Sequence, residues 1–541
     1  MKIHVLLLFS FVGSFHAQGQ WRDLFNGKDL QNWQITIAGQ EPGKDPDQLV
    51  QVRDGNIHMY ADTDENANVP FGVIVHEEEF SHYHLSLEYR WTGKKFAPRK
   101  EAIRDAGLLY HSTETNMVWP ESVEYQIQEG DTGDIVFIRT GGFTWMHPNP
   151  EKAPEGQGKP GLLPEHGGYL MTRLTKTWDY IGRFPVLDRN EGWNQVEVIV
   201  RGADYAEHMV NGKTKARLFD LQNQDGSPRS KGKISLQLEG AEIEYRNIRI
   251  RPLPESLRVS HRHIAMSAVK GIKSSIATLR VAFPAKSGGE FSIIGADAAA
   301  FRMVSSSKNA NGETEFQIEF SPNRGSGRYS AGIQLGNPAT DHAFVILQGL
   351  SLAALEGKNE PTLEEITRAL GIPINVGGSE LSLDTKTPTI GESVKAPYFQ
   401  AASSNKIRIT PLARFSPPGF TPIGISHRGE ASLIEVARLA DSSKSGDAHQ
   451  RLFASFENSE SVEIEAPDKP FTIYMKGHAY TSFTDSARDG GSEIPNTARV
   501  YPVRHFQGQK RENSFLVAFE EAANGDYQDA VLLIENVKIA E

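Results

Sequence analysis

The chain contains no cysteine among its 541 residues, which excludes disulfides, thiolate metal sites, a cysteine nucleophile and a lipid-modified N-terminal cysteine. Each domain must therefore hold together by packing alone, and the length permits this. An excess of positive charge is also missing: 57 Lys and Arg stand against 68 Asp and Glu, a formal net charge of −11. Such a surface repels phosphates, so nucleic acid and anionic lipid are set aside as partners. Beyond the N-terminus no segment is apolar over the ~20 residues needed to span a bilayer. There is no glycine-rich phosphate loop leading from strand to helix, no serine elbow and no zinc-protease helix, which argues against a nucleotide cofactor and against serine-hydrolase chemistry.

What is present begins with Lys2, the apolar run Ile3 to Val12 and small residues leading to Ala17, the pattern of a secretory signal peptide over residues 1–17. A secreted or periplasmic protein is expected. From Trp21 to about Pro254, short segments alternate apolar and polar residues between Gly, Asn and Asp turns. Leu85 to Trp91, Val123 to Gln128 and Val196 to Arg201 each place their two sets on opposite faces, as antiparallel strands with one packed face do. The expected class is all-β, with the first domain, residues 18–254, a two-sheet jelly roll. The boundary near Pro254 predicts that this domain folds on its own. The stretch from Gly141 to Trp193, rich in Gly, Pro, His and Trp, reads as a long functional loop bordering a site.

The texture changes after Pro254. In residues 255–356, Phe291 to Gly295 and Glu319 to Pro322 followed by Gly327 to Ala331 resemble immunoglobulin-like modules of the spindle-protein and hydin type, which implies spacing or contact with a protein partner. Thr362 and Glu365 have capping-box spacing ahead of Gly371, predicting one short helix. The remainder of residues 357–541 reads as a third β-sandwich, in which Glu520, Asn524, Asp526 and Asp529 form an acidic cluster suited to calcium.

Chemistry is expected in the first domain. Asp23 to Leu30 with Trp33, Asp54-Gly55, Arg104 to His111, Trp119 to Ile127, Gly130 to Asp134, Gly192 to Asn194, Val210 to Gly212 and Arg246 to Ile248, in this order, resemble the 3-keto-disaccharide hydrolase family, a concanavalin-like jelly roll. Many relatives carry Asn-Ser-Gly where this chain has Asp105-Ala106-Gly107. The resemblance implies cleavage of glycosides oxidised at C3, whose ketone acidifies the C2 proton. A base removes that proton, the C1 substituent leaves, and water can add back. Such chemistry needs a base, a stabiliser for the enolate and an acid, and a divalent cation can assist.

Strand alternation puts Glu124, Gln126 and Gln128 on one face, and Asp105 and His111 on the face of another strand. Glu124 is the candidate base, with His111 or Asp105 assisting. Gln126, Arg104 and Lys95 are candidates for sugar hydroxyls or the developing enolate, and Trp119 and Trp145 for stacking on sugar rings. Glu129, Asp131 and Asp134 form an acidic turn that can hold a cation through oxygen ligands. The expected partner is an oligosaccharide or glycoside. The alternative is a noncatalytic carbohydrate-binding or cell-surface adhesion protein, because a jelly roll serves both ends.

Overall fold

The computed structural model describes residues 19–149, 159–182, 185–270, 276–283, 290–354, 360–378, 389–441, 446–489, 494–507, 509–521 and 524–540. The leader read in residues 1–17 lies outside them. Among the described residues no helix is long and apolar enough to cross a membrane.

Two largely antiparallel sheets form the first unit. A ten-stranded sheet runs through the strands His82–Lys95, Asn194–Arg201 and Ala241–Pro252, and an eight-stranded sheet is centred on Asp105–Ser112, flanked by Ser122–Gln128 and Lys233–Leu238. The alternation read from the sequence decides the packing. Leu85, Leu87, Tyr89, Val196 and Val198 of one sheet meet Leu108, Tyr110, Val123, Tyr125 and Leu236 of the other in one buried core. The outer face of the larger sheet carries charges in matched pairs: Glu88 with Arg246 at 2.6 Å, Glu197 with His84 at 3.0 Å, Glu207 with Arg217 at 3.2 Å, and Glu244 with Arg90. These pairs are part-buried and satisfy one another across neighbouring strands.

The second unit packs two four-stranded sheets, with Leu279 and Ile318 against Ile264, Ile333 and Leu347. The third packs two six-stranded sheets, with Ile423 and Ile473 against Ile409, Val517 and Leu532. Between these units lies the helix Leu363–Ala369, closed at its start by the capping box of Thr362 and Glu365 as its sequence predicts. Its Leu363 and Ile366 join Val269 and Leu352 of the second unit to Phe415 and Leu533 of the third.

The segment from Gly141 to Trp193 is not the loop that its composition suggests. Its described part contains the strands Thr140–Met146, Tyr169–Leu174 and Trp178–Gly182, and the outward side chains of the first of these meet the second unit. Trp145 is fully buried there, edge-on to Phe219 at 6.0 Å and to Phe344 at 6.4 Å. It cannot stack on a sugar.

Candidate functional site

The outer face of the smaller sheet differs from that of the larger. In the register of its central strand, Asp105 lies opposite Gln128, Gly107 opposite Gln126 and Leu109 opposite Glu124, while Ser235 and Leu236 on the other side pair with Leu109 and Leu108. Asp105, Glu124 and Gln126 thus share one face with Gln237, two residues beyond Ser235, and with Glu239 after it. Gly107 makes the convergence possible. A methyl group there would overlap Gln237 Oε1 and lie 2.5 Å from Glu124 Oε1, so the missing side chain is the space that the carboxyl and amide groups occupy.

Arg99 reaches the same place from the turn before the strand. Its guanidinium donates to Asp105 Oδ2 at 2.5 Å and stands 3.9 Å from Glu239 Oε2. Trp119, 40% exposed, donates from Nε1 to Glu239 Oε1 at 3.1 Å and packs edge-on to Phe71. Trp119 and Arg99 form the rim, and Asp105, Glu124, Gln126, Gln237 and Glu239 are the buried floor. Asp105 Oδ1, Gln126 Oε1 and Gln237 Oε1 are buried acceptors without a donor. Unsatisfied acceptors converging on one recess are costly to a fold unless a ligand supplies hydroxyls.

Three carboxyl groups here share one cation, and the electrostatics follow from that. Burial, then the charges of Glu239 and Asp105, push Glu124 well above the usual carboxylate range. Burial and Asp105 raise Glu239 to about 8. Burial also raises Asp105, but Arg99 pulls the other way. Burial thus favours the protonated form of all three, and Arg99 opposes it at Asp105, which sets that carboxyl apart from Glu124 and Glu239.

Several residues expected at this site are placed elsewhere. His111 is fully buried, with Nε2 at 2.9 Å from Gly202 O, and burial lowers it to about 4. A bulge is the reason: His111 has φ 52°, and the pairing slips between Leu109 and Ser112, so counting by twos from Asp105 fails. Arg104 is committed to Glu129 at 3.0 Å and to Asn190 O at 3.1 Å, and Lys95 Nζ to Ala102 O at 2.9 Å. The acidic turn does not gather its carboxylates on one ion either. Glu129 pairs with Arg104, whereas Asp134 is fully buried 3.0 Å from Lys215 Nζ and accepts from Tyr180 at 2.9 Å, which leaves Asp131 without these partners.

Arg99, Gln237 and Glu239 were not anticipated. Ser235, Gln237 and Glu239 alternate with Ile234, Leu236 and Leu238, the same signal that marked Glu124 and Gln126. Arg99 lies on a turn and carries no periodic signal. A cavity of about 670 Å³ between the first and second units, lined by Tyr169, Arg173, Arg324 and Arg368, contains none of the carboxyl cluster.

Residues 20–251 match the model of the 3-keto-alpha-glucoside-1,2-lyase-like domain. A search of curated proteins returns no match. Among solved structures, a candidate glycosyl hydrolase from Parabacteroides distasonis ATCC 8503 is 19% identical, covering 43% of this chain and 94% of its own with a TM-score of 0.27. A second candidate glycosyl hydrolase from the same organism is 20% identical over 43% of this chain and 100% of its own, with a TM-score of 0.25. The carbohydrate binding module CBM66 from Bacillus subtilis is 9% identical over 35% of this chain and 89% of its own, with a TM-score of 0.22.

Proposed function

We propose, from the match of residues 20–251 to the 3-keto-alpha-glucoside-1,2-lyase-like domain, that the protein is a carbohydrate-active enzyme that cleaves 3-keto-glycosides. The observation that carries the reading is the set of three carboxyl groups gathered over Gly107 beside a single guanidinium.

In this account Asp105, ionised against Arg99, takes the C2 proton of the sugar. The electron pair moves into the C3 carbonyl, and the enolate oxygen is held by Arg99 and the amide of Gln237. The enolate then collapses, a C1=C2 double bond forms, the C1–O bond breaks, and the departing oxygen takes the proton of Glu124. Glu124 is assigned here as the acid rather than as the base, because burial beside two other carboxyl groups favours its protonated form. Addition of water to C1 with return of a proton to C2 converts elimination into net hydrolysis. Trp119 at the rim offers a face for the sugar ring. With the leader read in residues 1–17, the enzyme would act outside the cytoplasm.

The test is to incubate the full chain with a 3-keto-glucoside and follow the keto-sugar and the released aglycone by mass. Release above the enzyme-free rate is expected. Binding of the glycoside with no release would instead favour the noncatalytic carbohydrate-binding reading.

A further inference from the structure

In the third unit the antiparallel strands Ser514–Phe519 and Ala530–Glu535 are neighbours, with Phe519 opposite Ala530. The connection between them returns its acidic residues to the strand ends, and Glu520, Asp526 and Asp529 each place one ligand oxygen within 4.8 Å of the others. Glu520 is fully buried and Asp529 nearly so. Backbone amides position both: Tyr527 N donates to Glu520 Oε2 at 3.1 Å and Glu521 N to Asp529 Oδ2 at 2.6 Å.

A second observation is independent of the acidic residues. Gln528 is 1% exposed, and its Nε2 donates to Asp526 Oδ2 at 2.7 Å, which sets the planar amide beside the cluster. The carbonyl oxygen of that amide, Oε1, is buried with no partner, as is Asp526 Oδ1. Two oxygen acceptors without donors, beside two further carboxylates, make up an all-oxygen donor set. The charge of Arg414 reaches Asp529, but its hydrogen bonds are made elsewhere. The Arg414 guanidinium is spent on Ser416 Oγ, Thr421 Oγ1 and the carbonyls of Ala440, Pro417 and Gly419, and Arg499 lies over the Tyr527 ring at 5.2 Å.

We propose that Glu520, Asp526, Asp529 and the Gln528 carbonyl bind a hard divalent cation, calcium by preference, and that the ion locks the connection between these two strands. Calcium takes six to eight oxygens, mixing carboxylates with amide carbonyls in flexible geometry, whereas magnesium demands a near-ideal octahedron and keeps its waters. The ion would also fasten the linker ahead of the helix, because Gln528 Nε2 reaches Glu360 Oε2 at 3.0 Å and Gln450 Nε2 reaches Glu360 Oε1 at 2.7 Å.

Terbium is a direct probe on the full chain, because Tyr527 lies between two of these residues and can sensitise its emission. After chelation and dialysis, terbium should luminesce on excitation of tyrosine, added calcium should quench that emission by displacement, and calcium should raise the melting temperature of the wild type. Asp526→Asn, at a half-buried position, and Asp529→Asn should each still melt cooperatively but lose at least about tenfold in calcium affinity. Calcium-independent melting of the wild type without sensitised emission, or affinity unchanged in both variants, would overturn the proposal.

Discussion

At the scale of single residues, one guanidinium among three buried carboxyl groups favours charge on the one that it touches. Glu239 titrates from a reference of 4.5 and is raised to about 8 in the folded chain, so folding favours its protonated form. The stability this contributes is full below about pH 4.5 and is lost as pH rises through about 8. Glu239→Gln should therefore melt above the wild type near pH 9 and close to it near pH 5, as read by calorimetry at both values. A melting temperature at pH 9 below that of the wild type would count against a protonated Glu239. Five of the six polar residues of this cluster are readable in the sequence. Glu124, Gln126 and Asp105 stand out by alternation, and so do Gln237 and Glu239 when the same count is applied to their strand. Arg99 is not readable, because its role depends on where a turn comes to rest. The donor role proposed for Glu124 is hidden as well, because it rests on the carboxyl groups that folding brings to it.

The strands are where period-two reasoning both worked and failed. It identified the apolar faces that form the first core, and the capping box marked the helix Leu363–Ala369. It misplaced His111 because a single bulge reverses the faces beyond it, and a bulge made by a non-glycine residue leaves no compositional mark. It also took residues after Gly141 for a loop, because outward apolar side chains there serve another domain and break the expected alternation. The central strand yields a sharper expectation. Gly107→Ala puts a methyl group where Gln237 and Glu124 meet, so turnover should fall by at least about tenfold while circular dichroism keeps the all-β signature. Unchanged turnover would show that the recess over Gly107 is not where the substrate reacts.

For the whole molecule, the junction of the first two units argues against treating the first as a free-standing domain. Phe219 stacks on Phe344 with centroids 3.7 Å apart, and buried Arg201 donates to Pro338 O at 2.7 Å, Pro254 O at 3.0 Å and Thr340 O. Cutting the chain after Pro254 exposes Trp145 and Phe219 and strips Arg201 of two of its three acceptors, Pro338 O and Thr340 O. The boundary was visible in the sequence as a change of texture, but the apolar contact across it was not, since no local pattern tells a buried interface from a buried core. Phe344→Ala should cost about 3–5 kcal/mol, the usual range for deleting a buried aromatic ring, measured by denaturant unfolding. A loss under about 1 kcal/mol would mean that the two units are only loosely docked.

The claim that the cluster over Gly107 works by proton removal at C2 is tested most directly by turnover of a 3-keto-glucoside in deuterium oxide, with the product read by mass and proton resonance against an enzyme-free control. The account predicts one deuterium at C2 of the hydrolysed product, or its absence as a proton in the unsaturated one. It also predicts a rate that falls by about 10²–10⁴-fold in Asp105→Asn and in Glu124→Gln. Product that retains its original C2 proton, formed at an undiminished rate by both variants, would contradict it.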